Sequence, residues 1–112
     1  MDQNIVDEAV EAAAALGRKV VVLATNLRNA DALARRFELA APEAYVSGIS
    51  RIAGRRKIDF HSGGSVRFLS TNQSGRGLAV DRIIAPRDAS PETLANFIPM
   101  TAASEDGQIT GY

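Results

Sequence analysis

A three-layer α/β sandwich, with a small, mostly parallel sheet and one β-hairpin, is the fold class the sequence predicts. Three observations carry that expectation. The run "KVVVLAT", residues 19–25, is continuous and mostly β-branched between breaker signals, the mark of a strand covered on both faces. The segments flanking it repeat apolar residues at helical spacing. Further on, "KIDFHSGGSVRFLST" alternates on two arms around Ser62-Gly63-Gly64-Ser65, where Gly-Gly supplies the positive φ angles of a tight turn.

Each element follows in order. Asp2 or Asn4 caps a first helix with Ile5, Val6, Ala9, Val10, Ala13 and Leu16 on one side, and Gly17 closes it. After the buried strand, Asn26 or Asn29 opens a second helix. Asp31 falls in its first turn, where the dipole favours negative charge, and Ala30, Leu33, Ala34, Phe37 and Ala41 form its inner stripe. Pro42 stops it. From 43 to 57 the pattern weakens to a short strand near Tyr45-Val46 and an irregular basic loop. Beyond the hairpin, "TNQSGRG" (71–77) is a polar loop and "LAVDRIIAP" (78–86) a strand. Ser90 then caps a short helix with Pro91 at its first position and Pro99 at its end. Residues 1–100 make one domain, and 101–112, without periodicity, read as a flexible C-terminal tail.

Composition narrows the classes of function. The 112 residues are 46% hydrophobic, enough for one modest core. With 13 basic and 13 acidic groups the net charge is zero, so no global field announces a nucleic-acid or membrane partner. No cysteine is present, which removes disulfides, thiolate catalysis and cysteine metal sites. The acidic start "MDQNIVDEAVEAAAAL" does not read as a signal peptide, and the apolar runs are too short to span a bilayer. A cytoplasmic location is the expectation. Charge is nevertheless uneven: residues 51–88 hold eight basic groups against three acidic ones, namely Arg51, Arg55, Arg56, Lys57, Arg67, Arg76, Arg82 and Arg87. Such a block is either a solvated face or a phosphate-facing surface.

The order of "GRKVVVLATNLRNADALARRF" and "IDFHSGGSVRFLSTNQSGRGLAVDRIIAP" resembles the RecA-like P-loop ATPase core of phage terminase large subunits and superfamily 2 helicases, over residues 5–99. There, a helix leads through a glycine into a hydrophobic strand with a polar motif after it. A glycine hairpin then precedes "RG-x-x-x-D" and the Walker B strand. Two departures stand out. No G-x-x-x-x-G-K-[ST] phosphate loop occurs anywhere in the chain. Laying "VDRIIAPRDA" on the Walker B pattern puts Pro86 and Arg87 where the resemblance implies a magnesium-binding aspartate and a water-orienting glutamate. A proline cannot ligate a metal, and an arginine repels one. A slip in register would bring Asp88 near that place but would leave nothing to hold a nucleotide. The resemblance therefore implies a catalytically inactive core without a cofactor.

Other chemistry is thin. His61 is the only histidine, beside a hairpin turn and with no Asp/Ser partners at motif spacing. Asp59 and Asp81 sit in separate strands. Asp81 matches the aspartate after "RG-x-x-x" and is expected to bond the preceding loop. Within "TNQSGRG", Ser74, Gly75, Arg76 and Gly77 form either an anion-binding nest of backbone N–H groups or a plain connection. The resemblance implies that "ATNLRN" touches the nucleic-acid backbone, making Thr25, Asn26 and Arg28 candidates; helix capping is the alternative. Arg55, Arg56 and Lys57 add phosphate contacts without sequence information, and Arg87 marks an anion-facing use of the old site. Few aromatics are present, so base stacking is not indicated.

The expectation is a phage-type accessory protein that binds nucleic acid and does not hydrolyse ATP. The alternatives are a protein-interaction or homodimer module using an exposed sheet edge, and an ATPase half-site completed in trans.

Overall fold

The β-branched run forms the strand on which everything else is laid. In the computed structural model, which describes residues 1–52, 54–72, 78–102, 104 and 107–112, the elements run α1 (Gln3–Leu16), β1 (Lys19–Ala24), α2 (Leu27–Ala40), β2 (Val46–Ser50), β3 (Lys57–Phe60), β4 (Ser65–Ser70), β5 (Arg82–Ala85), α3 (Pro91–Ala95) and β6 (Gln108–Gly111). Short 3-10 turns occupy Glu43–Tyr45 and Ile98–Thr101. The strands build one mixed sheet in the order β2-β3-β4-β1-β5-β6. β1 is parallel to β4 and β5, β5 is parallel to β6, and β2, β3 and β4 pair antiparallel.

Both faces of β1 are covered, as its sequence requires. Val20, Val22 and Ala24 pack with α1, α2 and the inner side of the hairpin, including Ile58, Phe60, Val66 and Phe68. Val21 and Leu23 face the other way, against Leu69, Val80, Ile83, Phe97 and Met100. On the first face Phe37 meets Phe68 edge to face, with ring centroids 5.2 Å apart. That geometry suits the ring quadrupoles. Burial of each such Val, Leu or Phe stabilises the fold by about 1.5–3 kcal/mol.

The helices begin and end where short-range chemistry dictates. The Asp2 side chain accepts from Asn4 N–H to cap α1, and Gly17 closes it in the left-handed region at φ 68°. The Asn26 side chain accepts from Asn29 N–H to cap α2, and Ser90 does the same for α3 through Thr93 N–H. α1 buries Val6, Ala9, Val10, Ala13 and Ala14. Those small residues let the hairpin turn come close: a β-carbon at Gly64 would collide with the Ala13 carbonyl oxygen and lie 2.8 Å from that of Arg18.

Two segments differ from the sequence expectation. The strand expected over 78–86 is regular only at Arg82–Ala85, because Val80 N–H leaves the sheet to donate to Met100 O. The loose tail expected over 101–112 instead delivers β6, which pairs with β5 from Arg82↔Gln108 to Ala85↔Gly111. Gln-Ile-Thr-Gly has too few apolar positions to signal a strand, and what holds it is the backbone ladder. No described helix is long and apolar enough to cross a membrane.

The chain leaves β1 through α2 toward β4, then returns past β1 to β5 on the opposite face. The direction of winding therefore reverses at β1, and in open α/β sheets such a reversal opens a crevice at the carboxyl ends of the strands. Gly64→Ala is expected to lower thermal stability by roughly 2 kcal/mol or more, through overpacking between hairpin and helix. Gly48→Ala, where an added β-carbon meets nothing within 4 Å, should stay within about 0.5 kcal/mol; thermal unfolding of the two variants checks the contrast.

Candidate functional site

At the carboxyl ends of the strands, the shape of the crevice is set by Pro86. Asp81 O, Ala85 O and Arg87 N–H all bond to β6, so the backbone groups of the alternate residues 82, 84 and 86 point toward β1. With Val22 opposite Ile84, residue 86 is the one whose N–H should reach Leu23 O. Proline has no N–H to give. The phenol of Tyr112 takes over, its hydroxyl donating to Leu23 O. Tyr112 is held in turn by its N–H to Ala85 O (2.9 Å) and by Arg87 N–H to its carbonyl (2.8 Å).

Around this plug lies a depression of about 340 Å³ lined by Thr25, Asn29, Ala32, Leu33, Pro86, Asp88 and Tyr112. Its polar groups are mostly occupied with one another. Asn29 Nδ2 donates to Thr25 Oγ1 at 2.6 Å, and Asn26 is spent on the helix cap at 2.8 Å. Desolvation, helped by the nearby Asp88 carboxylate, pushes the Tyr112 phenol up to about 12. It therefore stays protonated and serves as a donor. Among the described residues no cluster of three or more His, Asp or Glu stands ready for a metal ion.

Asp81 lies at the opposite, amino-terminal end of the strands. Its carboxylate accepts from Lys19 N–H (2.9 Å) and Ser104 Oγ (2.9 Å), with Arg18 3.8 Å away. The Lys19 N–H bond is the main cause that holds it below the usual carboxylate value, joined by Ser104, Arg18 and Lys19 and partly opposed by burial. Its role is to clasp the starts of β1 and β5. Asp59, on β3, is separated from it by β4 and β1, so the two carboxylates make no acid/base pair.

The basic block disperses when the chain folds. Arg56, expected to touch phosphate, is instead 8% exposed. Its guanidinium reaches Glu38 at 2.7 Å and Asp31 at 3.5 Å on α2, so that helix's carboxylates use its charge. Arg51 joins the same Glu38 at 2.8 Å. Arg28 is exposed in the first turn of α2, Arg55 is exposed on a turn, and Arg87 lies exposed across Gly111. Ser74, Gly75, Arg76 and Gly77 lie outside the described residues.

A second concavity, about 450 Å³, opens on the sheet face that α3 leaves bare. It is lined by Lys19, Lys57, Asp59, Ser65 and Arg67, with Leu78, Ala79 and Val80 as one wall. Lys57 stands directly opposite Arg67 across the β3–β4 ladder, and Arg67 pairs with Val21 on β1, two residues along from Lys19. All three cations therefore share one face. Among the described residues that line the concavity, Asp59 offsets them, 3.4 Å from Lys57, and the Asp81 carboxylate also feels the charge of Lys19. Of the three cations, Lys57 and Arg67 belong to the basic block of the sequence, Lys57 alone as a named phosphate contact, and Lys19 lies outside it. Arg67 and Lys19 were legible through the period-2 rule, since Arg67 alternates with Val66 and Phe68, and Lys57 with Ile58.

No protein-family model matches this chain, and no curated protein or solved structure matches it either. The site stands on its geometry alone.

Replacing Tyr112 by Phe leaves Leu23 O without a donor, and is expected to cost about 1–3 kcal/mol in denaturant unfolding. The folded-state value of Tyr112 lies above its unfolded value of 10.0. Its contribution is thus complete below pH 10 and is lost as pH rises toward about 12. Unfolding curves across that alkaline window should show a falling stability in the native chain that Tyr112→Phe lacks.

Proposed function

We propose that this chain is a non-hydrolysing accessory protein on a RecA-like core that binds the phosphate backbone of nucleic acid. The observation that carries the reading is the placement of Lys19, Lys57 and Arg67 on one uncovered sheet face, where among the described lining residues the one carboxylate is Asp59. Like charges set directly across a ladder destabilise it, and an anion between Lys57 and Arg67 removes that cost. A phosphate backbone supplies such an anion at every residue, and cations opposite it gain by releasing its condensed counterions.

The other end of the sheet supports the absence of hydrolysis. Three parallel strands, β4, β1 and β5, open together at their carboxyl ends, in keeping with the resemblance. The places where that resemblance implies two acidic groups hold Pro86 and Arg87, and the Tyr112 side chain, bonded to Leu23 O, lines the depression beside them. Metal charge and phosphate positioning are the chief means by which such sites speed phosphoryl transfer.

A second reading is favoured by β6, the outermost strand on its side of the sheet. Its edge, Gln108 to Gly111, carries no charge, lysine or proline, and Ile109 is 46% exposed. Such an edge is open to pairing with a strand of a second copy. Light scattering over a concentration series would show a dimer growing in, whereas a strict monomer throughout would dismiss this reading.

The main reading is tested with a labelled oligonucleotide. Three phosphate contacts give log K a slope of about −2 against log salt on a single strand, so raising salt fourfold should weaken binding about tenfold or more. No binding at low salt would overturn it.

A further inference from the structure

We infer that the Lys19–Lys57–Arg67 groove accepts a flexible phosphate chain, as in single-stranded nucleic acid or a free polyphosphate, and excludes duplex. This rests on the proposed binding of phosphate backbones and adds which form of that backbone fits. The groove is concave and small. One wall, Leu78 to Val80, is fixed to the core because Val80 N–H donates to Met100 O at 2.8 Å. The floor is the sheet itself, with Arg67 between Val21 of β1 and Lys57 of β3 in adjoining register.

Two of the three charges, Lys57 and Arg67, rise from the sheet that forms the floor, and Lys19 is exposed at the start of β1. Lys57 and Arg67 are both only partly exposed, and Arg67 has no hydrogen-bond or ion-pair partner among the described residues. A ligand must therefore bring its phosphates down to them. A duplex cannot: its major groove alone is about 12 Å wide, against a concavity of about 450 Å³. It is also stiff over about 150 base pairs, so its phosphates stay on the outside of a cylinder and do not turn inward. A single strand or a polyphosphate bends at each phosphorus and can follow the floor from Lys57 to Lys19. Among the described residues the groove lining contains no aromatic ring, so no base is selected by stacking and recognition is of the chain of phosphates.

Among the described residues that line the groove, Asp59 is the one that opposes an anion. Its side chain is 43% exposed and lies 3.4 Å from Lys57 Nζ, which makes it a restraint on affinity and a means of testing the site by strengthening it.

The experiment measures anisotropy of a labelled single strand with the full chain at low salt, in competition with unlabelled single strand, the matching duplex, and tripolyphosphate. The expected result is single strand displacing the label at least about tenfold more effectively than duplex. Arg67→Gln should reduce affinity several-fold, and Asp59→Asn should raise it, a gain that misfolding cannot imitate. Arg35→Ala removes the same charge from α2, on the other side of the sheet, and should leave binding unchanged. Displacement by tripolyphosphate identifies a general phosphate-chain site, and failure to displace identifies the nucleic acid as the source. Duplex competing as well as single strand, or Asp59→Asn binding no tighter, would overturn the groove assignment while leaving nucleic-acid binding in place. Lack of binding by any nucleic acid would overturn both.

Discussion

The backbone of β1 is the constraint from which the rest of the fold follows. Val20 to Ala24 are each at most 1% exposed, so water reaches none of their amide or carbonyl groups. Every one must find a partner inside the protein, because an unpaired buried group costs about 1–3 kcal/mol. β4 and β5 meet most of this demand along the middle of the strand. The ends need separate devices. At the amino end, the Asp81 carboxylate takes Lys19 N–H while Asp81 N–H serves Lys19 O. At the carboxyl end, Tyr112 gives Leu23 O the donor that Pro86 lacks.

That second device links structure to the proposed function. Once a proline stands at residue 86, a hydroxyl must come from elsewhere, and the last strand brings it. β6 is thereby more than an extra edge: it brings the Tyr112 ring into the crevice where a doubly wound sheet ordinarily receives a ligand. The concavity with unpaired charge lies on the sheet face and toward the strands' amino-terminal ends, where Lys19, Ser65 and Asp59 sit. The proposed binding function thus occupies a part of the fold that the resemblance gave no reason to inspect.

Much of this was legible in the sequence wherever short-range chemistry decides. The β-branched run, the Asp2, Asn26 and Ser90 caps, the Gly17 stop and the glycine hairpin all lie where composition and spacing put them. Long-range pairing was less visible. β6 has one apolar residue between polar neighbours and is held by a ladder 26 residues away in the chain (Arg82 to Gln108), which no local pattern encodes. The fate of Arg56 was hidden for the same reason, since Asp31 and Glu38 approach it only when α2 packs on the sheet. Arg67 was readable, because alternation with Val66 and Phe68 puts it on the outer face; counting it within a linear basic block obscured that. The lesson is that charge clusters in sequence should be assigned to faces before they are assigned to ligands.

The central claim of the proposal is that binding takes place on the open sheet face and not at the carboxyl ends of the strands. Backbone amide chemical-shift mapping by NMR, with a single-stranded oligonucleotide and separately with MgATP, tests this most directly. The account predicts that the oligonucleotide perturbs Lys19, Lys57, Asp59 and Arg67 while Thr25, Arg87, Asp88 and Tyr112 stay still, and that MgATP does not gather shifts around Tyr112. Perturbations from either ligand clustering at Thr25, Asp88 and Tyr112 would contradict it.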